Sequence, residues 1–366
     1  MILFTEYYTP AHQAGGPITS IKNLYALLQH KITMIIVCSA YDLNATDVMP
    51  NIILNQEQEA RYYTQASFGQ LLRLAKWIFQ KRDEVFYING LYTWHLSLLP
   101  ALLGKQLIIA PRGMLQSSSF EHRGLLKKVY LAIYKFVLKF KQISWHATSE
   151  AEVAEIKSFM GEHARIAYIQ NIPATPIEEM NKIPKATKEL KLVCLALIGQ
   201  MKDHLRLIRV LQACQLPIEL DLYGPIKDAA YWDACQQLIA SRTSVARINY
   251  KGLLTAEQVP EVLQNYHASI LLSKGENFGH AIFESLALGR PVILSDKTPW
   301  RFTDTAGACF GIEAEEALIA HLHTLYTEDQ AAWEKRAEAA WQYAQTYMKQ
   351  ANFEAAYLDL FQQQPH

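Results

Sequence analysis

The stretch Ser273-Lys274-Gly275-Glu276-Asn277-Phe278-Gly279-His280-Ala281-Ile282-Phe283-Glu284-Ser285-Leu286-Ala287-Leu288-Gly289-Arg290-Pro291-Val292-Ile293 reads as a strand end, a polar loop, a helix, a glycine stop and a new strand. Strand, helix and strand in that order argue two parallel strands with a helix packed across them. The loop carries one carboxylate, Glu276, and a second, Glu284, follows in the second turn of the helix. Gly279 lets a ligand come close to the backbone, and the first-turn amides of His280, Ala281 and Ile282 favour an anion. A diphosphate bound there would lie between the carboxylates, each suited to accept from a pair of sugar hydroxyls. The plain alternative is an ordinary loop and an amphipathic helix with solvated glutamates.

Outward from this stretch the same alternation recurs. In the second half, strands are expected at Lys191–Ile198, Ile218–Tyr223, Arg247–Tyr250, Ala268–Leu272 and Pro291–Leu294, with helices at Leu205–Ala213, Ala229–Ser241, Ala256–Gln264 and Gly279–Leu288. In the first half, strands are expected at Ile2–Tyr7, Ile32–Cys38, Val85–Ile88, Leu107–Ala110, Ser144–Ala147 and Arg165–Ile169, with helices at Ile18–Gln29, Phe68–Gln80, Leu125–Phe140 and Glu150–Phe159. Two such sets argue two doubly wound α/β domains with helices on both faces of parallel sheets. The 366 residues are enough for two cores. The proline-bearing segments Ile172–Pro176 and Ile183–Lys185 are the expected linker, giving domains of 1–172 and 173–350. After Leu294 the chain is expected to be mostly helical.

Composition narrows the function. Lys and Arg total 35 and Asp and Glu total 35, so nothing global recommends a nucleic-acid partner. The halves differ, with 17 basic against 12 acidic residues in 1–172 and 18 against 23 in 173–366. The five cysteines lack CxxC spacing, which argues reduced thiols rather than a disulfide framework or a zinc site. No metal site is expected, and no Asp-x-Asp occurs. The N-terminus lacks signal-peptide features and no apolar run is long enough to span a bilayer, so a cytoplasmic chain is expected.

Further segments follow strands, where open α/β sheets bind ligands. Tyr8-Thr9-Pro10-Ala11-His12-Gln13-Ala14-Gly15-Gly16-Pro17 places a glycine pair at a strand-to-helix turn. It is neither a P-loop nor a dinucleotide fingerprint, and a plain tight turn is the alternative. Ile108-Ile109-Ala110-Pro111-Arg112-Gly113-Met114-Leu115 should project Arg112 towards a ligand, since guanidinium binds phosphate bidentately; a structural Arg is the alternative. Thr148 or Ser149 should cap the helix after His146.

The pattern E-x-F-G-x-x-x-x-E followed by S-L-A-x-G-x-P-V-I resembles the donor motif of family-4 retaining glycosyltransferases with the GT-B fold. The glycine pair and Pro111-Arg112-Gly113-Met114-Leu115 also resemble segments of these enzymes, the latter from a branch that builds bacterial surface polysaccharides. The resemblance implies two Rossmann-like domains facing across a cleft, the first for acceptor and the second for nucleotide sugar. It also implies a final helix, from about 351, crossing back onto the first domain. By it Glu284 would hold ribose hydroxyls, Glu276 would meet the transferred sugar, and the backbone from Asn277 through Phe278, Gly279, His280 and Ala281 to Ile282 would lie near phosphate and sugar. Gly15 and Gly16 would lie across the cleft from the phosphates. The family's Arg after the first C-domain strand is replaced by Gln200, leaving Lys202 as the natural cation, with Arg206 or Lys274 as substitutes. Its N-domain histidine is absent from the matching segment, with His95 and His12 as nearby candidates or plain structural residues.

The resemblance implies Glu276, Lys202 and Arg112 as catalytic residues, with Arg112, Gly113 and His95 on the acceptor side. It implies metal-independent retaining transfer from a nucleotide-sugar co-substrate to a hydroxyl of a lipid-linked glycan, with no cofactor. A sugar-nucleotide epimerase, a glycosyl phosphorylase and a catalytically silent sugar-nucleotide-binding partner remain alternatives; a nicotinamide dehydrogenase is disfavoured by the missing glycine fingerprint. Finally, Lys127, Lys128, Lys135 and Lys139 fall within about a 120° arc of the helix 125–140, with Leu126, Val129, Ile133, Val137 and Phe140 opposite. Either the helix lies on a membrane surface, or it is a core helix with a solvated lysine face.

Overall fold

A computed structural model describes residues 1–11, 15–115, 124–174, 177, 179–241 and 245–362. His12 lies outside the described residues. The chain forms two compact units, Met1–Ile172 with Asn352–His366, and Pro173–Ala351.

The first unit is built on strands β1 (Ile2–Thr5), β2 (Ile35–Ser39), β3 (Glu57–Gln58), β4 (Arg61–Thr64), β5 (Val85–Asn89), β6 (Gln106–Ala110), β7 (Gln142–Ala147) and β8 (Ile166–Tyr168), in the order β3-β4-β2-β1-β5-β6-β7-β8. All pairs are parallel except β3 with β4. Helices α1 (Gly16–Leu28), α2 (Phe68–Gln80), α3 (Leu98–Leu103), α4 (Gly124–Leu138) and α5 (Glu150–Met160) connect them. Ser149 caps α5 by accepting from the Glu152 amide at 3.2 Å. The hairpin β3–β4 was not expected from sequence. Its two-residue turn places Glu59 and Ala60 at φ 46° and 66°, the left-handed geometry usually announced by Asn-Gly, and neither residue is present.

The second unit carries β9 (Lys191–Leu195), β10 (Glu219–Tyr223), β11 (Arg247–Gly252), β12 (Ala268–Leu271), β13 (Val292–Ser295) and β14 (Gly307–Phe310), all parallel, in the order β11-β10-β9-β12-β13-β14. Its helices are α6 (His204–Cys214), α7 (Ala229–Ala240), α8 (Gln258–Leu263), α9 (His280–Ala287), α10 (Glu315–Thr327) and α11 (Gln330–Gln350). Helix α12 (Phe353–Gln362) returns to the first unit, where Tyr357 is buried edge-on to His146, ring centroids 5.2 Å apart. After Leu294 the chain is mostly helical, with one further strand, β14, whose Gly-Ala-Cys-Phe carries too little β-branched character to be read locally.

Among the described residues near the expected linker, Ile177 and Lys185 are not free. Ile177 O accepts from Trp341 Nε1 and Gln345 Nε2, both at 3.0 Å, and buried Lys185 Nζ donates to Glu328 O at 3.1 Å. These two residues are tied to α11 and to the turn before it.

Helix α4 overturns one side of the helical-wheel reading. The core receives Leu131, Tyr134 and Leu138 from it. Leu126, Val129, Ile133 and Phe140, from the apolar cluster, are exposed, and so is Phe136. It is not a core helix with only lysines in water.

Candidate functional site

In a parallel sheet ordered as in the second unit, chain direction along the sheet reverses between β9 and β12. The loops after those two strands therefore splay apart and leave a crevice at their carboxyl ends. The β9 loop ends in a 3-10 turn, Gln200–Lys202, and the β12 loop runs from Leu272 to Gly279. Lys274 N donates to Met201 O at 2.8 Å, tying the two loops together.

Within this frame Lys202 Nζ pairs with Glu276 Oε1, and Ser273 Oγ donates to the same oxygen at 3.0 Å. Gln200 is exposed at the start of the turn, so Lys202 is the cation that meets the carboxylate. Neither proposed substitute does so. Arg206 is buried, donating to Gly311 O at 2.7 Å with Glu315 Oε1 at 3.6 Å, and the Lys274 side chain is exposed. Ser273 was not singled out in sequence, since a lone serine at a strand end carries no signal of its own.

Gly279 stands at φ +79°, where a Cβ would meet Ile282 Cδ1 at 2.6 Å, and α9 begins at the next residue. The expectation of three free first-turn amides is corrected: Ile282 N already donates to Gly279 O at 2.9 Å. The Ile282 side chain is buried, and His280 packs edge-on to Phe278 at 5.0 Å. Asn277 and Ala281 are half-buried. Phe278 is also buried, its ring tilted against Trp300 with centroids 5.1 Å apart, and its carbonyl accepts from Trp300 Nε1. Phe283 and Tyr347 complete this aromatic floor, which fixes the loop from below.

Glu284 is partly covered and has no hydrogen-bond or ion-pair partner for its carboxyl among the described residues. Burial pushes its carboxyl up to about 7. Two carboxylates thus differ in kind: Glu276 is paired with Lys202, whereas Glu284 has no partner for its carboxyl among the described residues. On α6, buried His204 is lowered to about 4 by burial and stays neutral. Among the described residues no group of three or more His, Cys, Asp or Glu could hold a metal.

The first unit has its own switch point between β1 and β5. Gly15 caps α1 there at φ 60° and ψ −118°, a conformation open essentially to glycine alone, with nothing within 4 Å of a built Cβ. Gly16 is the first residue of α1. His95, in the loop after β5, is buried with Nδ1 unpartnered, and burial lowers its basicity.

Arg112 follows β6 but does not project freely, which corrects the expected direction of its side chain. Its Nε donates to Asn89 Oδ1 at 2.6 Å, Nη1 to Asn171 Oδ1 at 2.5 Å and Nη2 to Tyr87 OH at 2.7 Å. Tyr87 OH in turn meets His146 Nδ1 at 2.7 Å, whose Nε2 meets Ile169 O at 2.7 Å. Gly113, also an acceptor-side candidate, donates its amide to buried Glu152 at 2.7 Å. This is an internal polar network of the first unit, satisfied by its own members.

Residues 177–340 match the family model described as glycosyl transferases group 1. The fold is GT-B. Sucrose-phosphate synthase from Thermosynechococcus elongatus superposes with a TM-score of 0.75 at 15% identity, over 99% of this chain and 97% of that one. The Anabaena protein HepE, solved with UDP and glucose, gives 0.67 at 15% identity over 98% of each chain. WaaG, a glycosyltransferase involved in lipopolysaccharide biosynthesis, gives 0.65 at 13% identity over 99% of this chain and 100% of that one. A search of curated proteins returns no match. The group 1 match spans nearly the whole second unit and less than half of the chain.

Proposed function

We propose that this protein transfers a sugar from a nucleotide-sugar donor to a hydroxyl of a lipid-linked glycan acceptor, with retention and without a metal, in the synthesis of a surface polysaccharide. The observation that carries the donor side is the trio Lys202, Glu276 and Glu284 at the switch point of the second sheet. In this reading Glu284 accepts the ribose hydroxyls and Glu276 the hydroxyls of the transferred sugar. The incoming diphosphate draws Lys202 away from Glu276, so one cation balances the carboxylate before binding and the leaving group after it. The departing diphosphate oxygen takes the acceptor proton, so no protein base is required. HepE was solved with UDP-glucose as well as with UDP and glucose, which favours a nucleotide sugar here. The acceptor is assigned to the first unit, on the side of His95. The polysaccharide assignment rests on the resemblance of residues 111–115 and on the fold shared with WaaG.

The test is calorimetric binding of UDP-, GDP-, ADP- and TDP-sugars, followed by product analysis on glycan acceptors with the bound donor. Transfer with retained anomeric configuration supports the reading, and no binding of any nucleotide sugar would sink it. The exposed Gln200 in the place of the family's Arg favours one second reading, a sugar-nucleotide-binding partner without turnover. Tight binding with no transfer to any acceptor would establish that one.

A further inference from the structure

Helix α3 packs against both α2 and α4, so the three helices form one layer on the first sheet. Each buries one stripe and exposes apolar side chains beside it. From α4 these are Leu126, Val129, Ile133 and Phe136, the last 65% exposed, with Phe140 just past the helix end and edge-on to Phe136 at 5.3 Å. Leu102 is exposed on α3, and Phe68, Leu72 and Phe79 on α2, with Phe68 81% exposed. At 100° per residue, Phe68, Leu72 and Phe79 lie within about 40° of one another, on a face separate from buried Leu74 and Ile78. Single exposed apolar residues are ordinary; exposed residues of this size on three adjacent helices are not.

The charges point to what covers them. None of the three helices contains an Asp or Glu, whereas Arg73, Lys76, Lys127, Lys128 and Lys135 lie on them and Lys139 follows directly. Lys128, Lys135 and Lys139 flank one edge of the exposed apolar arc of α4 within about 40°. Lys76, Lys128 and Lys139 have no ion-pair partner among the described residues. A second copy docked through this face would set cations against cations, which is repulsive. A bilayer with anionic headgroups complements both features: aliphatic and aromatic groups sink to the acyl boundary while lysine heads reach lipid phosphates. No helix of the described residues is long and apolar enough to cross a membrane, so the contact is with its surface.

We propose that α2, α3 and α4 form a docking surface for an anionic lipid bilayer, with Phe68, Phe79, Ile133 and Phe136 entering the interface and Lys76, Lys128 and Lys139 on the headgroups. The inference stands apart from the transfer reaction, because every residue it uses belongs to the first unit, whereas the donor residues belong to the second.

The full chain is sedimented with vesicles of phosphatidylglycerol and phosphatidylcholine, and with vesicles of phosphatidylcholine alone, at low and high salt. The protein is expected to pellet with the anionic vesicles and at least roughly tenfold less with the neutral ones, and to be released by salt. The double variant Ile133→Ser with Phe136→Ser should stay in the supernatant while keeping the wild-type Tm and nucleotide-sugar affinity, since both side chains are exposed. Lys128→Glu with Lys139→Glu should lose the preference for anionic lipid. Wild-type protein that stays in solution with both vesicles overturns the proposal, as do variants that pellet like wild type. A concentration-dependent dimer abolished by the serine variant would likewise overturn it, by showing that a second copy covers the face. Pelleting by a chain that binds no nucleotide sugar supports docking and counts against the transfer reading alone.

Discussion

Lys202 and Glu276 stand 74 residues apart in sequence and form an ion pair beside the switch point of the second sheet, with the Glu276 side chain only 10% exposed. The pair links the loops after β9 and β12, the two strands between which the sheet reverses its winding. A cation this close to a partly buried carboxylate is preorganised: its solvation has already been exchanged for a fixed partner before any ligand arrives.

Lys202→Ala should therefore cost transfer more than stability. Loss of one preorganised charge at a developing anion typically lowers turnover by about 10²–10³-fold. Initial rates at saturating donor check this. Glu276→Ala should mainly lower turnover, and Glu284→Ala should mainly abolish donor binding, which calorimetry separates from rate. If both glutamate variants transfer at wild-type rates, the site assignment is wrong.

Glu284 gives the donor affinity a pH dependence. Its carboxyl is raised to about 7 by burial. Below that pH it is protonated and half its capacity to accept hydroxyl hydrogens is lost, so affinity should rise with pH through about 7 and level off above it, by at most about tenfold per pH unit. The same shift acts in the opposite sense on folding. The folded state holds a proton that the unfolded chain releases above about 4.5, so the carboxyl's contribution to stability is fully present below that pH and is lost as pH rises through 7. Glu284→Gln should flatten the affinity profile and raise stability at pH 8 relative to wild type. Titration calorimetry across pH 5.5–8.5 and urea unfolding at pH 8 read the two effects.

Arg112→Met should destabilise the first unit by about 3 kcal/mol or more, because Asn89, Asn171 and Tyr87 would be left with unmet buried partners. Donor affinity should be unchanged, since the donor residues belong to the second unit. Urea unfolding with calorimetry of the same variant checks both, and an intact stability with lost transfer would return Arg112 to the reacting centre.

Gly279→Ala places a methyl group at φ +79° and within 2.6 Å of Ile282 Cδ1. The backbone strain alone costs about 1–2 kcal/mol, and relief by shifting the loop would move Glu276 relative to Glu284. A fall in Tm together with weaker nucleotide-sugar binding is expected.

Much of the fold was legible locally. Strand and helix periods repeat over short windows, so the βαβ alternation, the Ser149 cap and the loop–helix register of Glu276, Gly279 and Glu284 follow from residues a few positions apart. Strands β3 and β14 escaped because their propensity is weak, and β4 because a run of four residues is too short to show a period; all three are fixed in the sheet by non-local pairing.

Other features were decided only by the folded chain. The sequence offered three cations near the diphosphate position, and the reversal of strand order selected Lys202, because it alone ends on the loop facing Glu276. Its place after a strand predicts that Arg112 reaches out, whereas Asn89, Asn171 and Tyr87, distant in sequence, draw its guanidinium into the first unit. Helix α4 has an apolar stripe that a wheel finds readily, but the neighbours bury Leu131, Tyr134 and Leu138 instead and leave that stripe in solvent. Periodicity is a property of a few consecutive residues and is written in the sequence; which face is covered, and which partner a charge meets, depends on chain segments tens of residues away.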